Sequence, residues 1–317
     1  MKGYKAFRKD LICSGKQYAE NTVFEEGVYN KGMHFCKNPL DIFEYYPLID
    51  NEGNITEFAE VEALDDAKTD DDKTFCTKKL KIGSKLSLSQ FIEASFDFAS
   101  QNIKSQVETS DDPYAKFVGG YNAKLAGGIY AKLVGGNHAE LVGDDCAKLV
   151  GGKAATIIGS DGAILVGGDY TTAVGKYCAK LVGGNCTKLI GDAGAILVGG
   201  NFAELVGGNN TTLVGCHNAK LVGGDDAILV GGDYTTLTGG YNAKLVGNCC
   251  ATLIGDSNAI IVGDHDSVAK GKKGSIIVLV ERDGNLNIVD FKAVQVDGEK
   301  IKEDVLYKLE NGELIQV

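Results

Sequence analysis

A glycine stands at every eighth position from Gly119 to Gly271 without one interruption. The octet that it opens typically reads Gly-Gly-x-x-Ala-Lys-Leu-Val, as in residues 127–134, and the first glycine is numbered position one below. Self-similarity at a short fixed period is the signature of a stacked, repetitive fold. Helix is excluded, because each glycine in a helix interior costs about 1 kcal/mol. The repeat therefore predicts short strands separated by tight corners.

Alternation along each short strand assigns the octet positions to two faces. Positions five and seven, which are nearly always Ala, Thr or Ser and Leu or Ile, belong to the inner face, and position six to the outer face. We expect the valine at position eight to turn inward as the chain enters the corner. We also expect the glycine pair to supply positive φ there, since glycine adopts it without a steric penalty.

A longer period decides how many octets make one coil. Ala-Ile-Leu-Val starts at Ala163, Ala195 and Ala227, and a close variant starts at Ala259, so the spacing is 32 residues. Thirty-two residues make two coils if each coil contains two octets. They do not make a whole number of coils if each coil contains three octets. The sequence thus predicts a mainly β chain with a two-sided parallel β-solenoid of about ten 16-residue coils, roughly 45–50 Å long. The expected organisation is a small α+β domain at 1–105, a linker and entry segment at 106–118, the solenoid at 119–274 and a β cap at 275–317.

The octets resemble those of the bacterial ice-nucleation proteins, which repeat Ala-Gly-x-x-Ser-x-Leu-Thr in sixteen-residue pairs. The segments Gly274–Val278, Glu281–Gly284, Val296–Ile301 and Val305–Tyr307 are similar to the C-terminal cap of that family, so the resemblance spans roughly 118–317. It implies a solenoid that associates through its edges and ends.

One departure from that family concerns its ice-facing ladder of outward Thr-x-Thr. Threonine pairs occur here as adjacent residues at 171–172, 211–212 and 235–236, and adjacent residues on a strand face opposite ways. The sequence therefore predicts no flat water-ordering face. Ice binding or ice nucleation remains an alternative interpretation.

Charge and cysteine content restrict the function classes further. The net charge of −11 and pI of about 4.9 argue against nucleic acid and anionic membranes as partners. The N-terminus has no apolar signal segment, and no run reaches the roughly twenty apolar residues of a membrane span. Together with nine cysteines that include no Cys-x-x-Cys pair, this favours a cytoplasmic protein with reduced thiols. The four cysteines at octet position four are expected to be buried or half-buried: Cys146, Cys178, Cys186 and Cys250.

Residues 1–105 have the composition of a separate α+β domain. We expect strands at 2–7, 58–64 and 78–82, a helix that starts at Asn38 with Pro39 in its first position, and a second helix at 87–99. The pattern resembles a small domain of phage and bacterial proteins that also precedes such octets, and its order of elements is similar to that of ADP-ribosyltransferase-like folds. A ligand-binding or ADP-ribosyltransferase-like head on an inert rod is therefore a further alternative, and a pocket near His34 and Tyr45 would favour it.

We predict no catalytic residue, no cofactor and no metal site. His34 and Cys36 are expected in a hydrophobic strand, and the remaining histidines in solvated corners: His138, His217 and His265. The corner aspartates are spaced too irregularly for the calcium ladder of a β-roll: Asp145, Asp161, Asp169, Asp225 and Asp233.

Four isoleucines form the candidate interface. Ile164, Ile196, Ile228 and Ile260 occupy position six on alternate coils of one side, with Lys180, Thr212 and Lys244 between them. Outward apolar residues in register mark an interaction surface. We therefore predict a non-catalytic scaffold for protein interaction or self-assembly, present as a homo-oligomer or bound to an unidentified protein partner.

Overall fold

The computed structural model describes residues 1–26, 32–50, 52–104 and 112–317. Residues 106–111 of the expected linker lie outside this description. The chain divides into two compact units, Met1–Ser105 and Gln106–Val317. Each unit has its own hydrophobic core.

The N-terminal unit is built on a seven-stranded antiparallel sheet of order β4-β9-β6-β1-β5-β8-β7, and β2 and β3 form a separate hairpin. Its strands are β1 Lys2–Phe7, β2 Ile12–Cys13, β3 Lys16–Gln17, β4 Val23–Glu25, β5 Met33–Cys36, β6 Glu57–Ala63, β7 Lys68–Thr69, β8 Thr74–Thr77 and β9 Lys79–Leu86. Its helices are two 3₁₀ segments, Lys9–Leu11 and Pro39–Glu44, and one α-helix, α1 Leu88–Lys104.

Both predicted helix starts are present, but the first helix is of a different type. The Asn38 side chain accepts a hydrogen bond from the Leu40 backbone N–H at 3.1 Å, and Pro39 follows it. The segment is nevertheless a 3₁₀ helix that ends at Glu44. At the start of α1, the Ser87 hydroxyl accepts from the Gln90 N–H at 3.2 Å and the Gln90 side chain accepts from the Ser87 N–H at 2.8 Å. This reciprocal pair satisfies two helix-end donors.

The C-terminal unit contains the predicted two-sided solenoid of about ten 16-residue coils, in which each strand pairs in parallel with the strand sixteen residues further on. The first sheet contains β10 Lys116–Val118, β12 Lys132–Val134, β14 Lys148–Val150, β16 Ile164–Val166, β18 Lys180–Val182, β20 Ile196–Gly199, β22 Thr212–Gly215, β24 Ile228–Gly231, β26 Lys244–Gly247, β28 Ile260–Gly263, β30 Ile276–Arg282 and β31 Ile288–Gln295. The second sheet contains β11 Lys124–Gly127, β13 Glu140–Gly143, β15 Thr156–Gly159, β17 Thr172–Gly175, β19 Lys188–Gly191, β21 Glu204–Gly207, β23 Lys220–Gly223, β25 Thr236–Gly239, β27 Thr252–Gly255, β29 Val268–Lys270, β32 Tyr307–Glu310 and β33 Glu313–Gln316.

The interior of the solenoid consists of the residues at positions five and seven. Ala147, Leu149 and their equivalents along the rod are fully buried. Where threonine replaces alanine at position five, its hydroxyl donates to a corner carbonyl, as Thr211 does to Gly208 at 2.8 Å and Thr235 does to Gly232 at 2.8 Å. The buried hydroxyl is thus satisfied, which explains why threonine is accepted in so narrow a core.

The prediction that the glycine pair supplies positive φ is wrong. The left-handed residue is position four, and it is rarely glycine: Asn122, Tyr130, His138, Cys146, Ala154, Tyr170, Cys178, Cys186, Phe202, Asn210, Asn218, Asp226, Tyr234, Asn242, Cys250, Asn258 and Asp266 all have φ between +55° and +61°. Glycine is required at position one for space. A Cβ on Gly143 would lie 2.6 Å from the Cβ of Ala147 and 2.7 Å from Leu149 Cδ1.

Position two has two backbone forms. In the glycine form, the Gly152 N–H donates to the carbonyl of Gly136, its equivalent one coil earlier, and a Cβ on Gly152 would lie 2.7 Å from that carbonyl carbon. In the second form, the N–H of position two donates to position one of the coil before, as Ser160 does to Gly143. Residues with a side chain adopt this form, and Gly208 and Gly232 adopt it as well. The second glycine of an octet therefore permits a closer approach between coils than other residues allow.

The prediction that the eighth position turns inward is wrong for the first sheet. Positions five, seven and one face the core, so position eight faces outward with position six. Val134, Val150 and Val182 are about 42% exposed. Two of the four position-four cysteines, Cys146 and Cys178, are exposed rather than buried or half-buried, whereas Cys186 and Cys250 are half-buried as expected.

Antiparallel strands close the C-terminal end of the rod. β30 extends the first sheet in parallel and is then covered by β31, whereas β29 of the second sheet is followed by β32 and β33. Arg282 on β30 forms two hydrogen bonds to the Asp264 carboxylate at 2.6 and 2.9 Å. Lys308 on β32 lies 2.9 Å from Asp266. These ion pairs join the closing strands to the last regular coil.

Candidate functional sites

The four isoleucines of the candidate interface lie on the outer face of the first sheet. The register places Ile164, Ile196, Ile228 and Ile260 in one column, with Lys180, Thr212 and Lys244 on the intervening strands. Ile196, Ile228 and Ile260 are 41–42% exposed. Ile276 on β30 extends the column by one strand and is 43% exposed.

A second apolar column lies beside the isoleucines, and the sequence analysis missed it because it placed position eight inside. Eleven valines occupy this column: Val118, Val134, Val150, Val166, Val182, Val198, Val214, Val230, Val246, Val262 and Val278. The signal was an unbroken run of valines at position eight of every second octet. We call the two columns together the Ile–Val face.

The size and charge of the Ile–Val face distinguish it from the second sheet. From Ile164 to Val278 its outward positions carry two lysines and no carboxylate. Over the eight strands from β16 to β30, two columns about 7 Å apart on strands spaced about 4.8 Å form a strip on the order of 35 Å by 15 Å. On β10, β12 and β14 the valine column continues beside Lys116, Lys132 and Lys148. The outer face of the second sheet instead carries both charges at position six, as in Lys124, Glu140, Lys188 and Glu204.

Threonine does not form a continuous outward ladder on either sheet of the described rod. The adjacent pairs face opposite ways, as expected: Thr171 is fully buried and Thr172 is part-exposed. One outward Thr-x-Thr is present, Thr236-Leu237-Thr238 on β25, and the sequence analysis overlooked it. A single such unit provides no extended surface.

A cavity of about 540 Å³ lies in the N-terminal unit, where β1 and β5 separate. The two strands share one ladder pair, Tyr4 with Cys36, whereas β1 shares six pairs with β6. Tyr45 and His34 line the cavity, so a pocket is present at the place that would favour a ligand-binding head. Its volume is within the range of small-molecule sites.

Lys5 is the buried cation of this cavity. It is 5% exposed and shares the face of β1 that carries Phe7. Its ammonium donates to the His34 carbonyl at 2.7 Å across the gap between the strands, and lies 5.6 Å from the ring centres of Phe7 and Tyr18. Among the described residues, no carboxylate lies within ion-pair distance of Lys5.

Cys13 and Tyr46 lie beside Lys5. The Cys13 sulfur is 2.8 Å from the Tyr46 hydroxyl. Burial raises the pKa of the Cys13 thiol, but the Lys5 ammonium and hydrogen bonds from Tyr46, Ser14 and Lys5 outweigh burial and leave this pKa lowered. Burial and the hydrogen bond to Cys13 raise the pKa of Tyr46. When Cys13 is a thiolate, the Tyr46 hydroxyl is the donor of this bond, since a thiolate can only accept.

Cys36 lines the same cavity in the opposite electrostatic environment. Burial, followed by the carboxylates of Asp41 and Asp71, raises the pKa of the Cys36 thiol to about 12. His34 and Cys36 lie two positions apart on β5, and burial lowers the pKa of His34. The sequence analysis considered these two residues and missed Lys5 and Cys13. The available signal was a lysine between Gly3 and Phe7 on the inward face of an otherwise apolar strand.

The remaining predicted positions lie along the corners of the rod. His138 contacts the Tyr121 ring and His217 the rings of Phe202 and Tyr234, while His265 lies 3.6 Å from the Cys249 sulfur. Asp145 and Asp161 lie on successive coils, and the Asp161 N–H donates to the Asp145 carboxylate at 3.3 Å, so the irregular spacing expected of the corner aspartates is wrong for this pair. Asp225 accepts in the same way from Tyr241, and Asp169 from Asn185. These carboxylates serve backbone donors of the next coil.

The described residues contain no group of three or more His, Cys, Asp or Glu side chains arranged to hold a metal ion. No helix in the described part of the chain is long and apolar enough to cross a membrane.

Comparison with known proteins identifies the N-terminal unit alone. Residues 1–94 match the family model of a domain of unknown function, DUF7666. The chain thus carries a DUF7666 domain at its N-terminus, followed by a β-solenoid of about ten coils. Neither the curated proteins nor the solved structures include a match to the chain.

Proposed function

We propose that the protein is a non-catalytic scaffold that self-associates side by side through the Ile–Val face. The observation that carries the proposal is the valine column on the outer face of the first sheet together with the isoleucines that lie beside it on alternate strands. Exposed apolar strips of this size mark association surfaces. The occupant is a second copy of this chain, since the strip offers roughly 500–550 Å² per copy and two copies together reach the total of about 1,000 Å² that a specific interface requires.

A two-fold axis parallel to the rods makes the face self-complementary. In that arrangement the column of isoleucines and lysines of one copy lies over the valine column of the other. Lys180 and Lys244 therefore oppose valines rather than each other, and their aliphatic stems cover apolar surface while the ammonium groups reach the rim. Like charges do not meet across the contact, which is the main electrostatic requirement for a self-complementary surface.

The test is replacement of Ile164, Ile196, Ile228 and Ile260 by lysine in the full chain. We expect wild-type protein to sediment as a dimer or larger oligomer and the fourfold variant to sediment as a folded monomer, because four new charges would be buried without partners. An oligomer unchanged by the four lysines would refute the proposal, as would wild-type protein that stays monomeric over the whole concentration range.

A matched pair of double variants separates the face from added charge. Ile228 and Ile260 changed to lysine place two charges on the first sheet, and Thr236 and Thr252 changed to lysine place two at the same octet position of the second sheet. The isoleucine pair should weaken association and the threonine pair should leave it unchanged. Equal effects would mean that net charge, rather than the Ile–Val face, controls the oligomer.

A further inference from the structure

The cavity of the N-terminal unit contains a cysteine, a lysine and a tyrosine that scaffolding does not require. Burying an ammonium group is expensive unless an opposite charge or several acceptors compensate it. Lys5 has the His34 carbonyl and two aromatic faces, and the group beside it that can carry a negative charge is the Cys13 sulfur. The sulfur also receives the hydroxyl of Tyr46 at 2.8 Å. A thiolate at Cys13 therefore completes the charge balance.

We propose that Cys13 is a nucleophilic thiolate and that the cavity admits a small, planar, uncharged molecule with a soft electrophilic carbon, of the α,β-unsaturated carbonyl class, which Cys13 captures as a thioether. The thiolate is the reactive form of cysteine, and a neighbouring lysine with a partly enclosed site is the environment that favours it. Cys13 lines a volume large enough for a ligand. Cys36 lines the same volume, but nearby carboxylates oppose its ionisation, whereas the Lys5 ammonium and the Tyr46 hydroxyl favour ionisation of Cys13.

The walls of the cavity define the ligand class. Aromatic rings contribute flat apolar surface: Tyr4, Tyr18, Phe35, Tyr45 and Tyr46. Lys16 and Glu26 at the rim are paired with each other at 2.5 Å, and Lys5 is balanced by Cys13. Because these charges are already compensated, an uncharged planar molecule fits the cavity better than a polyanion.

The bond changes use groups already in place. The sulfur lone pair forms a bond to the β-carbon of the ligand, and the π electrons of the carbon–carbon double bond move to give an enolate. The Lys5 ammonium and the Tyr46 hydroxyl lie beside the sulfur and are the donors available to the enolate oxygen. Tyr46 delivers its proton to the enolate and regains one from water, so no oxidant or second substrate is needed.

The test uses N-ethylmaleimide, a planar uncharged α,β-unsaturated dicarbonyl, on the full chain, with peptide mapping by mass spectrometry. We expect Cys13 to react with a pH midpoint below the ordinary cysteine value of about 8.5, and Cys36 in the same cavity to stay unmodified. Lys5→Met should slow Cys13 roughly tenfold at pH 6.5, the change in thiolate fraction for about one unit of pKa. The groups that face the sulfur and set its profile are Lys5, Tyr46, Tyr18, Lys16, Glu26 and His34.

A second variant and a second reagent complete the test. Lys5→Arg retains the charge and should retain most of the reactivity if Lys5→Met fails to fold. Iodoacetamide reports the thiolate without requiring a planar ligand, and exposed Cys146 reports the intrinsic rate of each reagent. Rapid reaction with iodoacetamide but not with N-ethylmaleimide would overturn the ligand class. A Cys13 that is inert to both reagents in the folded protein, or equally reactive with and without the Lys5 charge, would overturn the proposal.

Discussion

Replacement of Gly152 by alanine tests the close contact between successive coils. The added Cβ would lie 2.5 Å from the Asn137 side-chain oxygen and 2.7 Å from both the Asn137 nitrogen and the Gly136 carbonyl carbon. Carbon atoms in proteins pack at about 3.5–4.0 Å, so the two coils would have to separate by several tenths of an ångström or more. Two hydrogen bonds span this contact: Gly152 N–H to the Gly136 carbonyl at 3.0 Å, and Lys153 N–H to the Asn137 side chain at 2.9 Å.

The expected loss follows from these contacts. Overpacking costs about 1–3 kcal/mol, and each weakened hydrogen bond about 1 kcal/mol. The reduced entropy of the unfolded chain returns about 0.4–1 kcal/mol. We therefore expect Gly152→Ala to lower the free energy of unfolding by roughly 2–4 kcal/mol.

Two controls occupy the same octet position. Ser160→Ala changes a residue that already has a Cβ, and Gly120→Ala adds a Cβ with no described atom within 4 Å, so each should change stability by less than about 1 kcal/mol. Guanidinium unfolding followed by circular dichroism gives the free energies, and hydrogen exchange over 136–153 shows whether the coils separate locally, since stacked repeats need not unfold in one step. A loss below about 1 kcal/mol at Gly152 would refute the argument, because it would show that a glycine corner converts freely into the side-chain form.

Two other predictions concern the left-handed corner and the closing strands. Gly194 has φ +70° at position four, and its Cβ would lie 3.0 Å from the Cys178 sulfur, so Gly194→Ala should cost about 1–2 kcal/mol in guanidinium unfolding, and an unchanged midpoint would contradict the strain argument. The hydrogen bonds from Arg282 lower the pKa of Asp264 below its unfolded value of about 3.9, so this pair stabilises the protein above that pH and the contribution is lost as pH falls through the folded pKa. Thermal unfolding should accordingly lose stability below about pH 4, less steeply in Asp264→Asn, and parallel pH profiles for the two proteins would exclude this pair as the cause.

The period of the sequence was sufficient to predict the solenoid, but not the chemistry of its corners. Spacings of eight and thirty-two residues determine the coil length, the two sheets and the column of isoleucines. Strand alternation fixes the face on which each residue lies, and coil stacking fixes the residues above and below it. The left-handed residue escaped notice because only half of the position-four residues are Asn, Asp or Gly, which favour that conformation, and the others include Tyr130, Cys146 and Phe202, which do not. The valine column was missed for a related reason: an apolar residue beside a glycine corner was assumed to face inward.

The cavity of the N-terminal unit depends on contacts that sequence spacing does not encode. The helix start at Asn38 was predictable from local rules. The separation of β1 from β5 is a property of the assembled sheet, since these strands are far apart in sequence and share a single ladder pair. Cys13 reaches Lys5 by way of a short hairpin, and no repeat or motif links the two residues.

Deletions of thirty-two, sixteen and eight residues would each have a different effect on the solenoid. Removing thirty-two residues would shorten the rod while every isoleucine and lysine kept its alternation along the outer column. Removing sixteen residues would leave each strand in its sheet, but two isoleucines, or two of the residues that separate them, would then lie on adjacent strands of the outer column. Removing eight would exchange the two sheets beyond the cut, so that β30 and β32 would meet the wrong strands. The rod can therefore change length without loss of its surface pattern only in steps of two coils, and one such step is about 10 Å long.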